Sequence, residues 1–161
     1  MKIKHVINEV RLLINRIVLK IKFGKKLSLG KDFRVRKRFY CLIRGEGTIH
    51  IGNHVSFNND CSINALGSIE IGDDVIFGEG VKIYDHNHSF RLKEGLIRCQ
   101  PLNVGSVKIG NNCWIGSNVV ILKGTTIGNG CVIGAGCVLN SKVPDNTVVR
   151  NKSENMFEAI F

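Results

Sequence analysis

An aliphatic residue or phenylalanine recurs every six positions through most of this 161-residue chain: at 51, 57 and 63; at 71, 77 and 83; and at 109, 115, 121, 127, 133 and 139. A weaker set, Leu29, Val35 and Cys41, begins the series. Period six suits neither an α-helix nor a simple hairpin protein. It fits a solenoid of triangular cross-section, in which each hexapeptide makes one short strand and one corner and three make a coil. Stacked coils then share a continuous core. The residue at position i fills that core. Glycine at i+1 is read as permitting the turn, which suits a chain with 18 Gly and only 2 Pro. A smaller residue at i+4 also points inward. Cys61, Cys113, Cys131 and Cys137 all fall there and are expected as core filler, reduced and buried. The step from Ile51 to Ile71 is 20 residues rather than 18, which predicts a corner bulge near Leu66 to Ser68.

The repeat stops after His88 and resumes at Val107, so residues 89–106 form an excursion from an otherwise economical solenoid. Long loops in compact domains are often functional. At its root stands "DHNH", Asp85 to His88. Two histidines beside an aspartate suit proton transfer, because an imidazole can take a proton near neutral pH and a carboxylate can fix its tautomer. They also suit a metal: His86 and His88 project to one side if the segment is a strand, and His50 and His54 sit one coil earlier. A third reading is a surface pair that only hydrogen-bonds the loop.

The run "VKIGNNCWIGSNVVILKGTTIGNGCVIGAGCVL" and the hexapeptides before it resemble the hexapeptide-repeat acyltransferases, above all galactoside, maltose and polysaccharide O-acetyltransferases. The resemblance covers residues 48–145. It implies an all-β solenoid, a left-handed parallel β-helix, contrary to the usual right-handed crossover. It further implies acetyl-CoA as co-substrate, a sugar or glycan acceptor in capsule, lipopolysaccharide or glycan synthesis, and a homotrimer with active sites between subunits. The family's catalytic histidine maps to His86 or His88, with His86 favoured because it follows the last regular strand. Asp85 or a backbone carbonyl orients it. Asn58 in "VSFNND" matches an asparagine near the reacting groups; its other reading is a corner residue satisfying backbone groups. Gly116 and Ser117 in "WIGSN" match the site of a backbone donor to the thioester oxygen, and Ala135 in "IGAG" a position along the pantetheine channel. Trp114 either flanks the acceptor or shields a coil edge. The family pattern breaks at "LNSKVPDN" and "VVRNKSENMFEAIF", where Lys142 or Arg150 is left to meet the CoA phosphates. No serine or cysteine nucleophile accompanies the histidines, so direct transfer without an acyl-enzyme is expected, and no metal. Two other readings are a β-helix zinc carbonic anhydrase and a non-catalytic trimeric scaffold or membrane adaptor.

The net charge of +10 is segregated. Residues 1–44 carry 14 Lys or Arg against Glu9 and Asp32, a balance of +12, whereas the rest carries −2. A fold-wide nucleic-acid surface would not be so divided, and aromatic residues are scarce around the charges, so nucleic acid is not expected as a partner. Ile3, Val6, Ile7, Val10, Leu13, Ile14, Ile17 and Ile21 recur at helical spacing between basic residues, predicting an amphipathic helix of about six turns. Its charges exclude an ordinary transmembrane span. It either covers the first coil or lies on an anionic membrane through residues 1–23. The organisation expected is thus a basic helix over 1–26, a β-helix over 27–145 and a tail over 146–161. The location expected is the cytoplasm, peripheral to the inner face of the membrane if the helix binds lipid.

Overall fold

A computed structural model of the protein describes residues 2–90 and 95–152, with side chains from residue 10 onward. Ile3, Val6 and Ile7 of the apolar stripe and tail residues 153–161 therefore lie outside the described side chains. The helix α1 runs Lys2–Phe23, and a 3-10 turn, Gly24–Lys26, delivers the chain to the solenoid.

The solenoid is a left-handed parallel β-helix of about six turns with three faces. Hexapeptide positions i stack in register down each face. Leu29, Ile51, Ile71, Ile109, Ile127 and Val143 form the first column. Val35, Phe57, Phe77, Ile115, Ile133 and Val149 form the second. Cys41, Ile63, Ile83, Ile121 and Leu139 form the third. All but Val149 are buried. Each fully buried Ile or Val contributes about 1.5–3 kcal/mol of apolar transfer free energy, so the columns are the fold's main support. The Phe57 and Phe77 rings stack with centroids 4.1 Å apart inside the second column. Cys61, Cys113, Cys131 and Cys137 are buried, as their i+4 places require. The solenoid continues past residue 145 to a strand at Val148–Val149.

The glycine reading needs correction. The left-handed backbone sits at i+3, not i+1: His54, Asp74 and Asn112 take φ of 55°, 58° and 53°. Glycine at i+1 answers to crowding instead. A Cβ on Gly52 would lie 2.3 Å from Asp73 Oδ1 and 2.6 Å from the Gly72 carbonyl carbon of the next coil. Coils approach too closely there for any side chain that points at its neighbour.

The bulge expected near Leu66 to Ser68 is present between Ser62–Ala65 and Ser68–Ile71. The excursion is a two-stranded antiparallel ribbon that opens at His86, three residues before the point where the repeat pattern ends. His86–His88 pairs with Leu102–Val104, and Gly105 N–H closes the neck by donating to Asp85 O at 2.8 Å.

Candidate active site

Three corners separate the faces, and two of them hold the predicted site residues other than Trp114 and Lys142, which lie on faces. The third corner, between the third face and the next coil, holds Asp85, His86 and His88. Asp85 is completely buried. Its carboxylate accepts hydrogen bonds from the Leu66 N–H at 2.9 Å and the Gly67 N–H at 2.8 Å. It thereby satisfies the two donors that the bulge turns inward. The same Oδ1 lies 2.8 Å from His86 Nδ1. With Nδ1–H donating to that carboxylate, the lone pair of the ring is on Nε2. The His86 side chain is only 11% exposed, so its orientation is fixed by its surroundings. His88, two residues out on the ribbon, is exposed.

The second corner, between the second and third faces, holds Asn58, Gly116, Ser117 and Ala135. Asn58, Gly78, Gly116 and Gly134 form one i+1 column, each N–H donating to the next coil. Arg36, whose N–H donates to Phe57 O, begins the same column, so Asn58 and Arg36 are the side chains ahead of the three glycines. The i+2 column differs sharply from its counterpart on the first corner. There, the N–H groups of Lys31, Asn53, Asp73, Asn111 and Asn129 are each capped by the Asn or Asp side chain one coil on. At the second corner Lys37 N–H donates to Asn59 and Glu79 N–H to Ser117 Oγ. Ser117 N–H then faces Ala135, whose side chain has no acceptor. Among the described residues of this column the N–H groups of Asn59, Ser117 and Ala135 have no partner. Unpaired backbone donors are costly unless water or a ligand meets them. This edge therefore presents donors to whatever binds it.

Trp114 is 54% exposed on the second face, in line with Ile76 and Val148. It borders a groove of about 810 Å³ between α1 and the second face, lined by Arg11, Arg34, Arg36, Lys37, Asn58 and Trp114. Sequence reasoning missed this groove because its basic residues come from the helix and the first coil. Lys142 lies on the first face, paired with Thr126, and is not brought to the second corner. Arg150 and Asn151 are: they follow the last strand of the second face, and Asn151 Nδ2 donates to Gly136 O at 3.1 Å.

The remaining ligating residues are scattered. His50 is on the first face opposite Glu70. His54 is on the first corner, its nitrogens 3.1 Å from Asp74 and 3.4 Å from Asp32. No group of three or more metal-ligating residues forms among the described residues. Burial pushes the Cys41 thiol up to about 12 and raises those of Cys61, Cys113 and Cys137 as well.

An aspartate-bound histidine thus lies on one corner, and open backbone donors beside an asparagine lie on another. Residues 106–141 match the family described as "Bacterial transferase hexapeptide (six repeats)". A maltose O-acetyltransferase from Clostridium difficile 630 is 35% identical, superposes with a TM-score of 0.69, and is covered over 67% of its length by 80% of this chain. A hexapeptide-repeat acetyltransferase from Vibrio cholerae O1 biovar eltor, solved with acetyl-CoA, is 29% identical with a TM-score of 0.70, over 84% of this chain and 70% of that one. An Escherichia coli K12 protein, WbbJ, is named for an inferred O-acetyl transferase role in lipopolysaccharide biosynthesis. It is 34% identical over 136 residues, which are 80% of this chain and 66% of WbbJ. This chain belongs to the hexapeptide-repeat acetyltransferase family.

Proposed function

We propose that the protein transfers the acetyl group of acetyl-CoA to a hydroxyl of a glycan, with His86 as general base. The Asp85–His86 pair carries the reading: a buried carboxylate fixes one ring nitrogen and leaves Nε2 free on a rigid corner. Acetyl-CoA supplies an activated acyl group. His86 Nε2 accepts the acceptor's proton as its oxygen bonds to the carbonyl carbon, and returns it to the sulfur as the C–S bond breaks. Such assistance is worth ~10²–10⁴-fold in rate. Ser117 N–H holds the carbonyl oxygen where negative charge develops, and Ala135 N–H and Arg150 lie further along the same edge for the rest of CoA. Asn58 and Trp114 meet the acceptor. The basic groove beside them favours a glycan that bears phosphate or carboxylate.

One chain does not assemble this constellation. His86 and Ser117 sit on corners separated by a face of about four extended residues, roughly 13 Å, whereas proton transfer needs contact at about 3 Å. The third corner of one subunit must meet the second corner of another, which a closed three-fold ring achieves. The outward column Ile76, Trp114 and Val148, each more than half exposed, supplies apolar surface for that contact. Release of CoA thiol from acetyl-CoA, screened against neutral sugars, nucleotide-sugars and charged glycans, tests the proposal. Acceptor-dependent release is expected. No release with any glycan class would return the protein to the scaffold reading.

A further inference from the structure

The N-terminal helix has two apolar faces, and only one is used. Leu12, Leu19 and Phe23 are partly buried, with Leu19 and Phe23 packed against the core of the solenoid. Arg16, on the same side, donates to Leu29 O at 3.3 Å. At 100° per residue the opposite side collects Val10, Leu13, Ile14, Ile17, Val18 and Ile21. All six are exposed, from 47% at Ile17 to 79% at Ile21. From Val10 onward, the stripe that the periodicity singled out is therefore not the surface that covers the first coil. It points the other way.

A row of six large aliphatic side chains in water calls for a partner, and the charge around it says which kind. Lys20 flanks the stripe on one side and Lys22 on the other, both exposed, and Lys25 follows at the helix end. No Asp or Glu occurs between Glu9 and Asp32. Apolar side chains bordered by cations in one plane match a surface with acyl chains below and anionic headgroups above. No described helix is long and apolar enough to cross a membrane, so contact is parallel to the surface. We infer that α1 docks the enzyme on an anionic lipid surface. Val10, Leu13, Ile14, Ile17, Val18 and Ile21 enter the boundary between headgroups and acyl chains, Lys20, Lys22 and Lys25 contact headgroups, and Leu12, Leu19 and Phe23 hold the solenoid to the other side of the helix. This goes beyond acetyl transfer and stands independently of it.

The test is co-sedimentation of the full chain with vesicles of equimolar phosphatidylglycerol and phosphatidylcholine, against phosphatidylcholine alone. The intact protein should pellet with the anionic vesicles only and be released by high salt. Lys20→Gln with Lys22→Gln should weaken partitioning about thirty-fold, from roughly fivefold per lysine near such a surface. Ile14→Glu with Ile17→Glu should abolish it while the melting temperature stays that of the wild type, because neither residue touches the core. Light scattering on the same variant gives the decisive control. If its oligomeric mass falls, the stripe is a contact between copies of this chain and the inference is overturned. An intact protein that stays in the supernatant at low salt overturns it too.

Discussion

Replacing Asp85 by Asn removes one charge and almost no volume, and the structure says where the damage goes. The carboxylate serves Leu66 N–H, Gly67 N–H and His86 Nδ1. A carboxamide has one acceptor oxygen and one donor group, so it cannot serve all three as a carboxylate does. The backbone donors cannot change character, whereas an imidazole can shift its proton. The amide oxygen should stay on the bulge and the NH₂ should turn to His86. Nδ1 must then accept, the ring proton moves to Nε2, and the base is lost. The expected outcome is a fall of ~10²–10⁴-fold in kcat/KM, with stability lower by only about 1–2 kcal/mol. That corresponds to roughly 2–8 °C in Tm for a domain of this size. Asp85→Ala strands both buried backbone donors and should cost about 2–6 kcal/mol. Thiol release from acetyl-CoA and thermal melts on the same preparations separate the two effects. If Asp85→Asn keeps kcat/KM within threefold of wild type, the carboxylate only clamps the bulge and does not position His86.

His86→Ala should lower kcat by ~10²–10⁴-fold with CoA still binding, while His88→Ala, on the exposed ribbon, should cost less than about tenfold; the reverse order would make His88 the base. Gly116→Ala puts a Cβ 2.7 Å from Ala135 N and 2.8 Å from Ile133 O, so urea unfolding should show a loss of about 1–3 kcal/mol and calorimetry weaker CoA binding. Of the six cysteines only Cys99 is exposed; mass spectrometry after brief alkylation near pH 8 should find that thiol modified alone, and all of them in denaturant. Because burial raises the Cys41, Cys61, Cys113 and Cys137 pKa values from 9.0, to about 12 for Cys41, the unfolded chain binds fewer protons above pH 9. Stability supplied by these thiols is therefore complete below pH 9 and should fall as pH climbs towards about 12, which melts across that range can follow.

Much of the fold is legible in the chain because period six fixes both strand and corner. Once Ile51, Ile71 and Ile109 are recognised as one column, the register of each face follows, and so does the bulge at Leu66–Gly67. What periodicity cannot say is which way an apolar face points. The stripe from Val10 to Ile21 looks like a core face in one dimension, yet Leu12, Leu19 and Phe23 form the buried side. Glycine at i+1 likewise reads as a turn former, and only the stacking of Gly52 on Gly72 shows that it is chosen for close approach. The candidate site divides along the same line. His86 and Asp85 stand out by residue type. The openness of Ser117 N–H depends on Ala135 lying over it one coil away, where first-corner neighbours such as Asn129 carry acceptors. The basic groove joins Arg11 to Arg34 across a helix–sheet junction that no local pattern encodes.

The central claim is that base and thioester donor meet across two subunits, and a crystal structure of the acetyl-CoA complex tests it most directly. The thioester oxygen should accept a hydrogen bond from Ser117 N–H of one subunit, with His86 Nε2 of its neighbour facing the acyl carbon across a gap wide enough for one hydroxyl. Acetyl-CoA bound away from the Ser117–Ala135 edge, or no His86 of any subunit near its acyl group, would contradict it.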